Sequence, residues 1–151
     1  MMSEKTLILV KPDGVQRGLI GDILSRFEKK GLKCVALKMM HVDRDLAERH
    51  YAVHEGKSFY DELIEFITSG PLVASVWQGV NAVTLVRKVV GATSPDKAEP
   101  GTVRGDFAID TGFNLIHASD APDTAKTEIA LFFEEREILA YDLTLSQWLG
   151  K

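Results

Sequence analysis

Thr6-Leu7-Ile8-Leu9-Val10-Lys11-Pro12-Asp13-Gly14 is the stretch on which the fold turns. From Thr6 to Val10 no polar residue except a β-branched threonine interrupts the run, and branching recurs at Thr6, Ile8 and Val10. A strand wetted on one face alternates apolar and polar residues, so an unbroken run suits a central strand covered on both faces. Lys11-Pro12 stops it, and Pro12-Asp13-Gly14 predicts a turn. The purely apolar part, Leu7 to Val10, is too short for a signal-peptide core or a membrane span.

Working outward, Ile20, Ile23, Leu24 and Phe27 recur at helical spacing and end before Gly31. Leu32 to Met40 reads as a second strand. Asp43 and Ser58 are candidate N-caps of two further helices, with Asp61 three residues after Ser58 as a variant capping box. The second of these carries Leu63, Phe66 and Ile67 inward and stops at Gly70. Pro71 to Trp77 predicts a strand and Asn81 to Val90 a helix. Gly91 to Gly105 holds three Gly and two Pro without helical or strand period, a long loop of the kind that is usually functional or disordered. Asn114 to Ala118 predicts a short strand, and Asp120-Ala121-Pro122 the cap and first turn of a helix reaching about Phe133. The implied architecture is α+β: a ferredoxin-like βαββαβ core with an antiparallel sheet, extra helices and a long loop before the last core strand. Residues 1–151 are expected to form a single domain.

Composition limits the function classes. Eighteen basic against 22 acidic residues leave a formal charge of -4, a poor basis for sequence-blind binding to nucleic acid or to an anionic membrane. Cys34 is the only cysteine, which rules out an intrachain disulfide and a cysteine-based zinc site. With no targeting or membrane segment in view, the expected compartment is the cytoplasm. A small anionic ligand needs only a local cluster of cations, and remains open.

Neither a G-x-x-x-x-G-K-[ST] loop nor G-x-G-x-x-G is present, so phosphates would have to be held by side chains. Lys11, Arg87 and Arg104 are the candidates, although each taken alone is more often a solvated surface charge. Lys11 is the most suggestive, since rigid backbone flanks it on both sides. Among the histidines, His41 reads as an edge residue. His50 and His54 are spaced i, i+4, which would suit two ligands of one metal, but with no cysteine cluster and no obvious third ligand two exposed helix histidines are the better reading. His117, between Ile116 and Ala118 and just before Ser119-Asp120, reads equally as a core histidine and as a reactive imidazole at a strand end.

Four segments together resemble the nucleoside diphosphate kinases. They are Val10-Lys11-Pro12-Asp13-Gly14-Val15-Gln16-Arg17-Gly18, Thr68-Ser69-Gly70-Pro71, Pro100-Gly101-Thr102-Val103-Arg104-Gly105-Asp106-Phe107 and Asn114-Leu115-Ile116-His117-Ala118-Ser119-Asp120. The last is that family's N-x-x-H-x-S-D signature, and the likeness runs from Thr6 to Trp148. Phe113 and Ala118 depart from the commoner arginine and glycine.

The resemblance implies ping-pong transfer of a γ-phosphoryl group from a nucleoside triphosphate to a nucleoside diphosphate through His117. Imidazole keeps a lone pair near neutral pH, and its N–P bond is labile, so the phosphoenzyme can pass the group on. Glu128 would orient the ring, with Ser119 and Tyr51 lining the catalytic pocket. Arg87, Arg104 and Thr93 would hold phosphates. Lys11 and Asn114 would meet the ribose hydroxyls, Lys11 also lying near the transferred group. Phe59 would stack on the base beside Leu63, which predicts low base specificity. Mg²⁺ would arrive on the nucleotide phosphates rather than in a protein cage, so no metal-ligand residues are expected. The implied partners are nucleoside triphosphates and diphosphates and further copies of the chain, most often a hexamer; neither membrane nor nucleic acid is expected. The rival reading is a ferredoxin-like module that binds a small ligand without turnover.

Overall fold

The computed structural model describes residues 3–150. Four strands, β1 (Ser3–Val10), β2 (Lys33–Met40), β3 (Leu72–Val80) and β4 (Ile116–Ala118), form one antiparallel sheet in the order β2-β3-β1-β4. This is the ferredoxin-like arrangement, with β1 inside the sheet and paired on both sides. Its unbroken apolar run has the expected cause: Leu7 and Leu9 point into one core layer, Ile8 and Val10 into the other, and all four are fully buried.

Seven α-helices accompany the sheet among the described residues: α1 (Pro12–Gln16), α2 (Ile20–Lys30), α3 (Arg44–His50), α4 (Tyr60–Ile67), α5 (Ala82–Val90), α6 (Val103–Phe107) and α7 (Pro122–Phe132). Ile23 and Phe27 of α2 join Val86 and Val90 of α5 and Trp77 of β3 in the layer with Ile8 and Val10. Ala47 of α3, Ile64 and Ile67 of α4, and Ile129 and Phe132 of α7 cover Leu7 and Leu9 from the other side.

Several local expectations are corrected. Pro12-Asp13-Gly14 is the first turn of the short helix α1, not a free turn; Pro12 occupies N1, where a missing N–H costs no hydrogen bond. Asp43 does cap α3, its carboxylate accepting from Leu46 N–H at 2.8 Å. Ser58 does not cap α4. Phe59 takes that position without a side-chain bond, because a turn from Lys57 O to Tyr60 N–H delivers the chain one residue later. Asp120 likewise lies one residue too early, and Ala121 stands at the N-cap of α7. The Gly91–Gly105 loop is not wholly irregular, since the Thr102 hydroxyl accepts from Gly105 N–H and starts α6. The last core strand is confined to Ile116–Ala118. His50 and His54 do not share a helix face: His50 ends α3, and His54 lies in a separate 3-10 turn, Ala52–His54.

Candidate active site

β4 pairs with β1 so that His117 faces Leu9, which turns the imidazole toward the layer holding α3 and α7. On α7, Ala125, Glu128, Ile129 and Phe132 form the buried stripe, so helical spacing carries one carboxylate into an apolar face. His117 Nε2 and Glu128 Oε1 lie 3.0 Å apart. The Ser119 hydroxyl, fully buried, donates to the same oxygen at 2.6 Å. Burial alone would raise the Glu128 pKa, but the hydrogen bond and charge of His117 and the Ser119 bond outweigh it and hold the carboxyl below its ordinary value. An ionised Glu128 accepts from Nε2–H, which leaves Nδ1 of His117 with the lone pair. His117 keeps 22% of its side chain exposed, so that nitrogen can meet a ligand.

His50 lies against this pair. Its ring meets His117 edge-on with centroids 4.6 Å apart, and its Nδ1 is 3.8 Å from Glu128 Oε2. Neither ring nitrogen has a hydrogen-bond partner among the described residues. Burial, reinforced by His117, pushes its pKa down to about 3, so the ring is neutral at ordinary pH. The spacing with His54 suits two exposed helix histidines better than a metal pair; His50 is instead buried beside the His117 ring. The usable signal was its place three residues after Ala47 on the buried face of α3. Tyr51, also buried, packs on His50 with centroids 4.6 Å apart, and burial with the Glu128 charge raises its phenol above the usual range.

The cations come from three distant segments. Lys11, only 8% exposed, donates from Nζ to Asn114 Oδ1 at 2.9 Å, and Asn114 Nδ2 donates to Thr93 O at 3.2 Å. Burial, with the Arg104 charge beside it, lowers the Lys11 pKa to about 8. Arg104 is 4% exposed and donates to the carbonyls of Asn114, Gly91 and Ile116, which uses three of its five N–H groups. Arg87 donates to Ala118 O at 3.0 Å, next to His117. Lys11 and Arg104 are therefore not solvated surface charges. Phe59, 43% exposed at the start of α4, is joined to the site by an aromatic file through His54, Tyr51 and His50. Leu63 is half-buried one turn further along α4.

Of the two departures from the common motif, Phe113 packs edge-on against Phe66, centroids 5.3 Å apart, beside a groove of about 980 Å³ that lies away from His117. Ala118 is buried in the opposite core layer from the imidazole.

The nucleoside diphosphate kinase family model matches residues 4–138. A nucleoside diphosphate kinase of Carboxydothermus hydrogenoformans is 57% identical over 146 residues, 97% of this chain and 98% of the relative. One from Listeria monocytogenes is 56% identical over the same share of this chain and 99% of its own. Among solved structures, a nucleoside diphosphate kinase of Halobacterium salinarum in complex with CDP superposes with a TM-score of 0.97 at 52% identity, covering 99% of this chain and all of that one. A nucleoside diphosphate kinase family protein of Babesia bovis gives a TM-score of 0.95 at 44% identity, covering 97% of this chain and 99% of its own.

Proposed function

This chain belongs to the nucleoside diphosphate kinase family, and from that premise we propose how its residues divide the transfer of a γ-phosphoryl group between nucleotides. The observation that carries the reading is the His117 Nε2–Glu128 Oε1 contact of 3.0 Å, which leaves Nδ1 free on a partly exposed ring. Nδ1 attacks the γ-phosphorus of a triphosphate. The N–P bond forms as the β,γ-bridging P–O bond breaks, and the bond's electron pair leaves on the diphosphate. Glu128 balances the positive charge that the phosphorylated ring acquires while it keeps Nε2–H. A second diphosphate attacks in its turn and reverses each step. The covalent intermediate splits one transfer between two nucleotides into two displacements at the same nitrogen.

Phosphoryl transfer depends mainly on positioning and charge neutralisation. Arg87, the two unspent N–H groups of Arg104, and Thr93 hold phosphates, and Lys11 with Asn114 holds the ribose. Phe59, exposed rather than buried in the core, is free to stack on a base with Leu63 beside it. Ser119 braces Glu128, and Tyr51 walls the pocket. Enzymes of this family work with a divalent cation, and we assign Mg²⁺. The tight cluster of histidine and carboxylate groups, His50, His117 and Glu128, offers two imidazoles and one carboxylate. That donor set does not suit an oxygen-seeking ion, which fits better on nucleotide phosphates and water.

We take the chain as one domain that works in a homo-oligomer, with six copies as the family's common number. Leu37 and Met39 on the edge strand β2, 57% and 59% exposed, support an assembled state, and sedimentation equilibrium decides six copies against four. No helix among the described residues is long and apolar enough to cross a membrane. The lone Cys34 fits a reducing compartment, the cytoplasm.

Exchange assays with ATP and a second nucleoside diphosphate test the assignment of roles. His117→Ala should abolish transfer. Glu128→Gln, which keeps an acceptor oxygen but loses the charge, should lower kcat by about 10- to 100-fold at little change in KM. Full exchange by His117→Ala would contradict the reading.

A further inference from the structure

Asp13 has no part in the roles above, yet its carboxylate reaches across 102 positions of sequence to the backbone two residues before His117. Leu115 has φ +74°, one of two non-glycine residues with positive φ among the described residues. A γ-branched side chain seldom occupies that region, because Cβ crowds the following carbonyl. Something must hold it there. Asp13 Oδ2 accepts from Leu115 N–H at 3.0 Å, and Leu115 O accepts from Lys11 N–H at 2.9 Å. Both polar groups of the strained residue are therefore taken by the Lys11–Asp13 segment. The Ile116 carbonyl accepts from Arg104, and the Asn114 carbonyl accepts from Arg104 and, at 2.9 Å, from Ile116 N–H, which closes the turn around Leu115. Gly14 permits the approach: a Cβ there would stand 2.7 Å from Val10 Cγ1 and 3.2 Å from Leu115 O.

We propose that Asp13 is a positioning residue for the transfer, fixing the Leu115 kink that sets Asn114 and His117 on opposite sides of one turn of chain. The kink lets two neighbouring segments serve different ends of a nucleotide. Asn114 meets Lys11 through Oδ1, and two residues beyond the kink His117 enters β4 opposite Leu9. Were Leu115 to relax to negative φ, the peptide planes on either side would rotate and both side chains would move. A displacement of about 1 Å at a reacting group is enough to slow transfer by about 100-fold. The carboxylate acts through geometry, by the direction of one acceptor oxygen, and not through its charge on Lys11.

This inference rests on the kinase reading, and the test separates the two. Single-turnover phosphorylation of His117 by saturating γ-labelled ATP is measured for wild type, Asp13→Ala, Asp13→Asn and Asp13→Glu. Asn keeps an acceptor at the same distance without charge; Glu keeps the charge but moves the oxygens by one methylene. The expected result is at least a tenfold slower rate for Ala and Glu, with Asn within about threefold of wild type. Ala or Glu at the wild-type rate overturns the proposal, as does Asn as slow as Ala; an Asp13→Ala chain that does not fold leaves Asn and Glu to decide. A wild type that forms no phosphohistidine defeats the kinase reading instead. In that event amide hydrogen exchange at Leu115 still decides the positioning claim: at least tenfold faster exchange in Glu than in Asn supports it, and equal protection overturns it.

Discussion

Lys11 concentrates the physics of the site at the scale of one residue. Its backbone N–H holds Leu115 O, its ammonium group holds Asn114, and its side chain is almost wholly withdrawn from water. Burial first, and then Arg104, lower its pKa to about 8, so the free protein loses this charge near physiological pH. If Lys11 lies near the transferred group as the family resemblance implies, only its protonated form offers charge there, and kcat/KM should fall as pH rises through about 8, a limb that reports the free enzyme. Lys11→Arg, charged throughout, should remove the limb from the pH profile; an unchanged profile would assign it elsewhere. Stability has the opposite slope. Folding disfavours the ammonium ion, so this group's cost is full below about 8 and fades as pH rises toward the ordinary lysine value of about 10.4. The rigid flanks of Lys11 are legible in the sequence, since Val10 and Pro12 adjoin it. Its burial is not legible, because Asn114, which holds its ammonium group, is 103 positions away, and Arg104 lies in a similarly remote part of the chain.

At the scale of elements, legibility followed the distance over which a signal acts. β1 could be read because two-sided burial leaves its mark in five consecutive residues. The helix at Ile20–Lys30 could be read for the same reason, and it ends on Gly31 in the left-handed conformation that glycine favours. Caps were read less well. Asp43 has the extended backbone that aims its carboxylate at Leu46 N–H, whereas Ser58 lies one residue before the true N-cap, a register no local pattern fixes. Asp43→Ala should therefore lower stability by about 1 kcal/mol, and Ser58→Ala by less than about 0.5 kcal/mol. Urea unfolding at one fixed protein concentration measures both, and equal losses would contradict the capping assignment. α6 leaves no periodic signal in the sequence, because Thr102 caps it from within a Gly- and Pro-rich segment. Gly105 is required there by close approach: a Cβ would lie 1.9 Å from Glu99 O. His50 and His54 part for a related reason, since i, i+4 spacing signals a shared face only while the helix continues, and α3 ends at His50 itself.

At the scale of the whole molecule, a chain of net charge -4 gathers Lys11, Arg87 and Arg104 from three distant segments onto the stretch Asn114–Ala118 that carries His117. An average charge of -4 gives no support to broad binding of polyanions, and it has no bearing on a pocket for one nucleotide. The sheet makes the gathering possible. β1 ends at Val10 and hands the chain to Lys11 beside the segment leading into β4, α5 brings Arg87 to the Ala118 carbonyl, and α7 returns Glu128 to the strand it follows. The claim that unites these placements is that His117 carries the phosphoryl group between two nucleotides. Its most direct test is to label the protein with γ-labelled ATP, remove the nucleotide, and add unlabelled CDP. The label should be acid-labile and alkali-stable, absent from His117→Ala, and released as CTP within one turnover. Label that stays on the protein after CDP is added, or that appears undiminished in His117→Ala, would contradict it.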